Sequence, residues 1–367
     1  MSVLLLNEAT STNLGDQAIA RCLAALCATA GVRAQTLPFA APPNPPSGRA
    51  DEPRSAVEPT VERPGWREAA SGTSPARIAR WARWAAGPGR PTLTASPDET
   101  PSAVLIGGGE LVSDNDCFPP AWAAWTARAR WRWRVPFAVV GVGVTSDISA
   151  PARRLLTGLR HASYVSVRDE RSRDALASVL GIDADVNADL AFTIADVVEP
   201  APGDDIDLLV CPASHHLVLR RHNRAPMTYD DYVAAHVDRI DALAAPGDSV
   251  VLAYTHPADA AVSLAIHRAL GPSRSELVHV SDLTGLCDLT SRCRAVLSGR
   301  MHALILAMAY GARAHAVAVS PKLATFGSEY ADADHARDLA AEARRSVTRA
   351  LRAVGAGPPE RATTTPG

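Results

Sequence analysis

The strongest constraint on the fold is a regular alternation of short apolar runs with segments of helical length. In the first half, the apolar runs Val3–Leu6, Ala103–Ile106 and Phe137–Val140 each precede a loop and a helix-like stretch. Strands that alternate with helices in this way form a parallel sheet covered on both faces. We predict such a sheet here, with Ala121–Arg134 as one of its helices and Leu190–Phe192 as a short extended segment.

The alternation restarts after Val198–Asp205, a Pro-, Gly- and Asp-rich segment typical of a linker. The sequence therefore predicts an α/β fold with two Rossmann-like, doubly wound domains that face each other across a cleft. The predicted parts are a first domain over 1–197 with a partly disordered Pro-rich insertion at about 41–100, a second domain over 206–330, a helix over 334–354 and a disordered tail over 355–367. Ligands of such sheets bind at the carboxyl ends of the strands.

Composition excludes several classes of function. The 37 basic and 39 acidic residues give a net charge of −2, so the chain has no global basic field and nucleic acid is not expected as a main partner. The first apolar run is too short for a signal-peptide core, and no stretch approaches the roughly 18 apolar residues of a membrane span. The six cysteines show no Cys-x-x-Cys spacing. We expect a cytoplasmic protein with reduced thiols and no metal site.

Glycine-rich loops follow three of the predicted strands. Asn13-Leu14-Gly15-Asp16 precedes the first helix, where Gly15 allows close approach of a ligand. Asp16 either caps that helix or accepts a proton from an attacking hydroxyl. Gly107-Gly108-Gly109 fits close passage of a ligand or of another backbone segment, and Gly141-Val142-Gly143 fits either substrate contact or a tight bend.

Cationic side chains also lie at predicted strand ends. Arg168 can bind a carboxylate or phosphate, or form a structural ion pair with Asp169 or Glu170. Arg300 and His302 stand at a predicted helix N-terminus, where anions are favoured.

Two further residues lie beside predicted strands of the second half. Lys322 is the single lysine among the 37 basic residues, and it follows the next predicted strand after Arg300. With Arg168, Arg300 and His302 it predicts a pocket for a small, highly charged anion. His256 either lines the cleft or caps the next helix.

All seven tryptophans lie between Trp66 and Trp133, several of them beside arginines. The segment 81–134 either makes peripheral contact with a membrane or a glycan acceptor, or contains a helix packed on the sheet by its tryptophan face.

Seven short motifs occur in an order that resembles the polysaccharide pyruvyl transferase family over nearly the whole chain, apart from the insertion and the tail. They are Asn13-x-Gly15-Asp16, Gly107-Gly108-Gly109, Gly141-Val142-Gly143, Val167-Arg168-Asp169-x-x-Ser172, Asp189-x-Ala191-Phe192, Ser298-Gly299-Arg300-Met301-His302-Ala303 and Lys322. The resemblance implies a fold similar to B-type glycosyltransferases, phosphoenolpyruvate as donor substrate without a cofactor, and formation of pyruvate ketals on saccharides, with an acceptor that can be lipid-linked.

The resemblance also implies that Arg168, Arg300, His302 and Lys322 hold or activate the donor. We interpret His302 as the general acid and Asp16 as a candidate base. The predicted substrate-contacting loop residues are Asn13, Gly15, Gly108, Gly109, Gly143 and His256. Two rival hypotheses are a glycosyltransferase of the same fold that uses a nucleotide sugar, and a non-catalytic glycan-binding relative.

Overall fold

The computed structural model describes residues 1–40, 74–87, 89–90, 94–114, 117–216, 218, 227–318, 323–324, 326 and 335–357. Lys322, most of the predicted insertion and the predicted tail after residue 357 lie outside these residues. Two parallel sheets with interleaved helices form the described part of the chain.

The first sheet has six parallel strands in the order β2-β1-β3-β4-β5-β6. The strands are β1 Ser2–Asn7, β2 Arg33–Pro38, β3 Ala103–Gly107, β4 Phe137–Val142, β5 Tyr164–Val167 and β6 Asp185–Val186. The helices between them are α1 Leu14–Thr29, α2 Ser74–Ala86, α3 Phe118–Ala127, α4 Ala150–Leu156 and α5 Glu170–Leu180. Because helices cover both faces, β3 and β4 are buried along their whole length.

The second sheet has five parallel strands in the order β11-β10-β7-β8-β9. The strands are β7 Ile206–Cys211, β8 Val250–Tyr254, β9 Ser275–His279, β10 Cys293–Ser298 and β11 Arg313–Ala316. The helices are α6 Tyr229–Leu243, α7 Pro257–Leu270, α8 Leu283–Arg292 and α9 Met301–Ala309. The C-terminal helix α10, Ala336–Ala353, packs on the first sheet, where its Ser346 hydroxyl lies 2.9 Å from that of Ser166 in β5. The chain runs from β7 to β9 in one direction and then returns to place β10 on the other side of β7.

The chain divides into two units that are not continuous in sequence. The first unit contains Met1–Ser11, Leu23–Asp189 and Glu342–Gly367, and the second contains Thr12–Cys22 and Leu190–Ala341. The predicted domains, 1–197 and 206–330, are each continuous in sequence. They therefore do not show that Thr12–Cys22 belongs to the second unit and Glu342–Gly367 to the first. The first part of α1 thus belongs to the second unit, with its loop residues Asn13, Gly15 and Asp16.

Three local predictions differ from the structure. Strand β2 was not expected, because it is an edge strand whose residues are largely exposed and so lack a clear apolar alternation. Leu190–Asp196 is a 3₁₀ helix, so the predicted extended segment Leu190–Phe192 is wrong. The predicted helix Ala121–Arg134 is an α-helix only to Ala127 and continues as a π-helical turn, Arg128–Trp133.

Helix α3 packs into the core by its tryptophan face. Trp122 and Trp125 are fully buried, and each indole N–H donates to a backbone carbonyl at 2.8 Å, of Leu111 and Phe39 respectively. The interpretation of this helix as packed by its tryptophan face is therefore confirmed. Trp131 differs, since it lies on the π-helical turn with 70 % of its surface exposed.

We predict that Trp122→Phe lowers the free energy of unfolding by about 1–3 kcal/mol, because the buried Leu111 carbonyl loses its donor. Trp131→Phe is the matched control and should change it by less than about 0.5 kcal/mol, since the ring is exposed. Urea unfolding monitored by circular dichroism measures both. Equal losses in the two variants would contradict the assignment of the buried hydrogen bond.

Candidate functional site

The second sheet brings three loops together at its centre. Strand β7 lies between β8 and β10, and the strand order reverses between β7 and β10. The crevice at such a reversal, beyond the carboxyl ends of the strands, is where doubly wound sheets bind ligands. Ser214 lies in the loop after β7, Asp259 in the first turn of the helix after β8, and Arg300 in the loop after β10.

Arg300 is held at this point by a buried carboxylate. Its Nε and Nη2 donate to the two oxygens of Asp259, at 2.9 and 2.6 Å. The Asp259 side chain is 1 % exposed and also accepts a hydrogen bond from the backbone N–H of Ser214, at 2.8 Å. Among the described residues, none bonds the third guanidinium nitrogen of Arg300, Nη1, and the side chain is 32 % exposed. The Nη1 amino group of the guanidinium thus lies outside the bidentate contact with Asp259, in an orientation that the contact fixes.

The backbone around Arg300 is anchored to the neighbouring strand. The Arg300 N–H donates to Ser298 Oγ at 2.8 Å, and that hydroxyl donates to the Cys211 carbonyl at 2.9 Å. The Gly299 N–H also donates to the Cys211 carbonyl, at 3.1 Å. Helix α9 begins directly afterwards at Met301, so the positive end of its dipole lies beside the guanidinium.

Neutral groups surround the ion pair. Burial raises the pKa of the Cys211 thiol and of the Tyr232 phenol well above their ordinary values. The Tyr232 hydroxyl donates to the Ala213 carbonyl at 2.9 Å. Both groups therefore remain protonated at neutral pH, and neither serves as a nucleophile or base.

His302 lies against the start of α1, within the same unit. A Cβ atom placed on Gly15 would come within 2.0 Å of His302 Nδ1, so this position requires glycine. The imidazole therefore packs against Gly15 at the start of α1.

Helix α1 is capped by Asn13 and not by Asp16. The Asn13 side-chain oxygen accepts from the Gly15 N–H at 3.0 Å, and its carbonyl accepts from the Asp16 N–H at 3.0 Å. Asp16 lies inside the first turn and is half-buried. The capping alternative for Asp16 is wrong, because the helix begins at Leu14.

His256 caps helix α7. Its Nδ1 accepts a hydrogen bond from the Ala258 N–H at 3.1 Å, which confirms the capping alternative. This cap places Asp259 in the first turn of α7, where the carboxylate contacts Arg300.

Arg168 lies in the first unit and is surrounded by carboxylates. Its guanidinium is 4 % exposed and forms ion pairs with Asp189 at 3.3 Å, Glu110 at 3.7 Å and Asp169 at 3.8 Å. A Cβ on Gly143 would lie 2.6 Å from Nη2, so Gly143 provides the space for this side chain. Of the two roles predicted for Arg168, the structural ion pair with Asp169 is confirmed.

The glycines after β3 form backbone contacts. Gly108 and Gly109 have positive φ angles of 76° and 72°. The Gly108 N–H donates to the Val140 carbonyl at 2.9 Å, and the Gly109 carbonyl accepts from the Gly143 N–H at 2.7 Å. Of the two alternatives predicted for this loop, the structure shows the close passage of another backbone segment.

The predicted site residues thus fall into two sets. Those of the second unit are Asn13, Gly15, Asp16, His256, Arg300 and His302, and those of the first unit are Gly108, Gly109, Gly143 and Arg168. Lys322 lies outside the described residues.

Residues 13–321 match the family model described as polysaccharide pyruvyl transferase. The chain belongs to this family. The family was predicted from the order of its motifs, and the match confirms it. A search of curated proteins finds no match to this chain.

Solved structures resemble this chain in fold. The UDP-GlcNAc 2-epimerase from Methanocaldococcus jannaschii is 11 % identical with a TM-score of 0.53, over 97 % of this chain and 99 % of that one. S. aureus MnaA, solved with UDP, is 13 % identical with a TM-score of 0.51, over 97 % of this chain and 97 % of that one. The UDP-GlcNAc 2-epimerase from Neisseria meningitidis, solved with UDP-GlcNAc, is 12 % identical with a TM-score of 0.50, over 96 % of this chain and 100 % of that one. The predicted class, Rossmann-like units of the B-type glycosyltransferase kind, is confirmed.

Asp259 was not among the predicted site residues. The residue looks like an ordinary acidic side chain in the first turn of a helix, where it is favoured by the dipole. Its role depends on β8 and β10 flanking the same strand, β7, which only the strand order reveals.

We predict that Gly15→Ala destabilises the protein although alanine favours helices, because the added Cβ meets the His302 ring. The loss should disappear in a His302→Ala background, since the ring is then absent. Gly285→Ala in α8 is the matched control, with no atom within 3.7 Å of the added Cβ, and it should be neutral or stabilising by up to about 1 kcal/mol. A double-mutant cycle by urea unfolding measures the coupling. Additive effects would contradict the contact.

We predict that Asp259→Asn lowers the free energy of unfolding by about 1–3 kcal/mol, because Arg300 loses a buried, bidentate partner. Asp241→Asn removes an exposed partner of Arg274 and should cost less than about 1 kcal/mol. Thermal unfolding of the two variants gives the comparison. Similar small losses would show that the buried pair does not stabilise the unit.

Proposed function

We propose that this pyruvyl transferase transfers pyruvate from phosphoenolpyruvate to a saccharide, forming a pyruvate ketal and releasing phosphate. The observation that carries the proposal is the Arg300 guanidinium, which Asp259 orients at the strand reversal of the second sheet and which keeps Nη1 outside that contact. A preorganised cation at a helix N-terminus suits a compact anion.

Phosphoenolpyruvate carries a carboxylate and a phosphate, so it needs more than one cation. We propose that Arg300 binds one of these groups and that Lys322, which follows β11 in the sequence, joins it. The donor-binding role predicted for Arg168 also remains a proposal. Because Asp189, Glu110 and Asp169 already balance its charge, we expect Arg168 to contribute less to donor affinity than Arg300.

The reaction requires one proton donor and one proton acceptor. We propose that His302 gives a proton to the methylene carbon of the donor, which becomes the methyl group. One sugar hydroxyl adds to C2 and loses its proton to Asp16 or another carboxylate. A second hydroxyl of the acceptor then displaces phosphate from C2, and its proton balances the leaving phosphate. No cofactor enters these steps.

The acceptor is a saccharide in this proposal, and it can be lipid-linked. We place the reaction in the cytoplasm, since all six cysteines are free thiols. The substrate-contacting roles of Asn13, Gly15, Gly108, Gly109, Gly143 and His256 also remain proposals.

We expect phosphoenolpyruvate to raise the melting temperature of the full chain, since saturation at about 100 times Kd stabilises by about 2.7 kcal/mol. Arg300→Lys should weaken this shift, because lysine cannot keep the bidentate contact with Asp259. Lys322→Ala should weaken the shift as well.

His302→Ala should keep donor binding and lower turnover by about 10²–10⁴-fold, the usual contribution of a general acid.

Arg294→Lys is the matched control for Arg300→Lys. Arg294 lies on β10, the strand that Arg300 follows, and pairs with Asp207 and Asp248 at the surface, so this variant should leave the shift unchanged. UDP-GlcNAc serves as the competing ligand for the glycosyltransferase hypothesis. A shift with UDP-GlcNAc and none with phosphoenolpyruvate would overturn the proposal, and donor binding without turnover on any acceptor would favour the non-catalytic hypothesis.

A further inference from the structure

A basic aromatic surface lies on the π-helical turn that follows α3. Arg130, Trp131, Arg132 and Arg134 are all exposed, and 70 % of the Trp131 surface is accessible. We call these four residues the Trp131 turn. Tryptophan usually buries much of its ring, as Trp122 and Trp125 do in the preceding helix α3. An exposed tryptophan ring between two arginines therefore requires an explanation.

The charges of the Trp131 turn are not balanced locally. The sequence contains no Asp or Glu between residues 117 and 146. Among the described residues, no carboxylate forms an ion pair with any of its three arginines. Since the whole chain has a net charge of −2, this concentration of positive charge is a local feature of one surface.

The turn is held in place by the core beneath it. Ala129 is buried, and its carbonyl accepts a hydrogen bond from the Val135 N–H at 2.9 Å. The Trp133 ring lies 6.3 Å from the Trp125 ring, and the Arg128 guanidinium stacks over Trp125 at 4.7 Å. The exposed side chains therefore project from an anchored backbone, and ordering them on binding costs little backbone entropy.

We propose that the Trp131 turn docks the protein on the surface of an anionic lipid bilayer. Tryptophan is favoured at the level of the lipid headgroups, because its ring is apolar and its N–H remains hydrated. Arginine binds phosphate through its planar set of donors, and basic residues near an anionic leaflet attract it. A single ring on a short turn inserts only to the headgroup level, so this contact is peripheral. In the described part of the chain, no helix is both long and apolar enough to cross a membrane.

This proposal does not depend on the donor or the reaction. It concerns a surface of the first unit that includes none of the predicted site residues. Its test therefore uses lipid binding alone, and the result is distinguishable from failure of the proposed reaction.

We expect the full chain to float with vesicles that contain phosphatidylglycerol and not with vesicles of phosphatidylcholine alone. Binding should weaken as salt rises. Replacing Arg130, Arg132 and Arg134 by Gln should weaken binding by about fivefold for each charge removed. Trp131→Ala should weaken binding at low and at high salt, since its contribution does not depend on charge.

The control is Arg154→Gln combined with Arg268→Gln and Arg345→Gln, which removes three exposed arginines elsewhere. This variant should bind anionic vesicles like the natural chain. If both triple variants lost vesicle binding equally, the net charge of the chain and not the Trp131 turn would explain the binding, and the proposal would be overturned. Absence of vesicle binding, or tighter binding to an acidic protein or to nucleic acid than to anionic vesicles, would also overturn it.

Discussion

The contact between Arg300 and Asp259 connects the three central loops of the second sheet. Asp259 receives two N–H groups from Arg300 and one from Ser214, so a single buried carboxylate joins the ends of β7, β8 and β10. A buried carboxylate is stable only when its oxygens are paired. The same pairing fixes the direction of the guanidinium, which gives a preorganised cation where the strand order reverses.

Both units place a predicted site residue in the space left by a missing Cβ. In the second unit the His302 ring occupies the space above Gly15, and in the first the Arg168 guanidinium occupies the space beside Gly143. The two glycines are thus required by the packing of these side chains. This is a different reason from the ligand contact predicted for them, and it explains why each glycine accompanies a side chain that is distant in the sequence.

The two arginines of the predicted donor site differ in their electrostatic surroundings. Arg168 is nearly inaccessible and has three acidic neighbours, whereas Arg300 has one and is 32 % exposed. A charge that is already compensated contributes less to binding an anion. The surface of the first unit shows the opposite situation at Trp131, where arginines accumulate without acidic neighbours.

The sequence by itself determined the alternation of strands and helices, since apolar periodicity is a local property. The predicted runs Val3–Leu6, Ala103–Ile106 and Phe137–Val140 lie within β1, β3 and β4, whereas the edge strand Arg33–Pro38 was missed because its exposure removes that signal. Sequence order also identified the family and placed Arg300 and His302 at the start of a helix. The tertiary structure alone decided which side chains meet. Asp259 lies 41 residues from Arg300, and Gly15 packs on His302 from the start of the first helix. The physical reason is that parallel strands place their carboxyl ends at one edge in an order the chain sequence does not state.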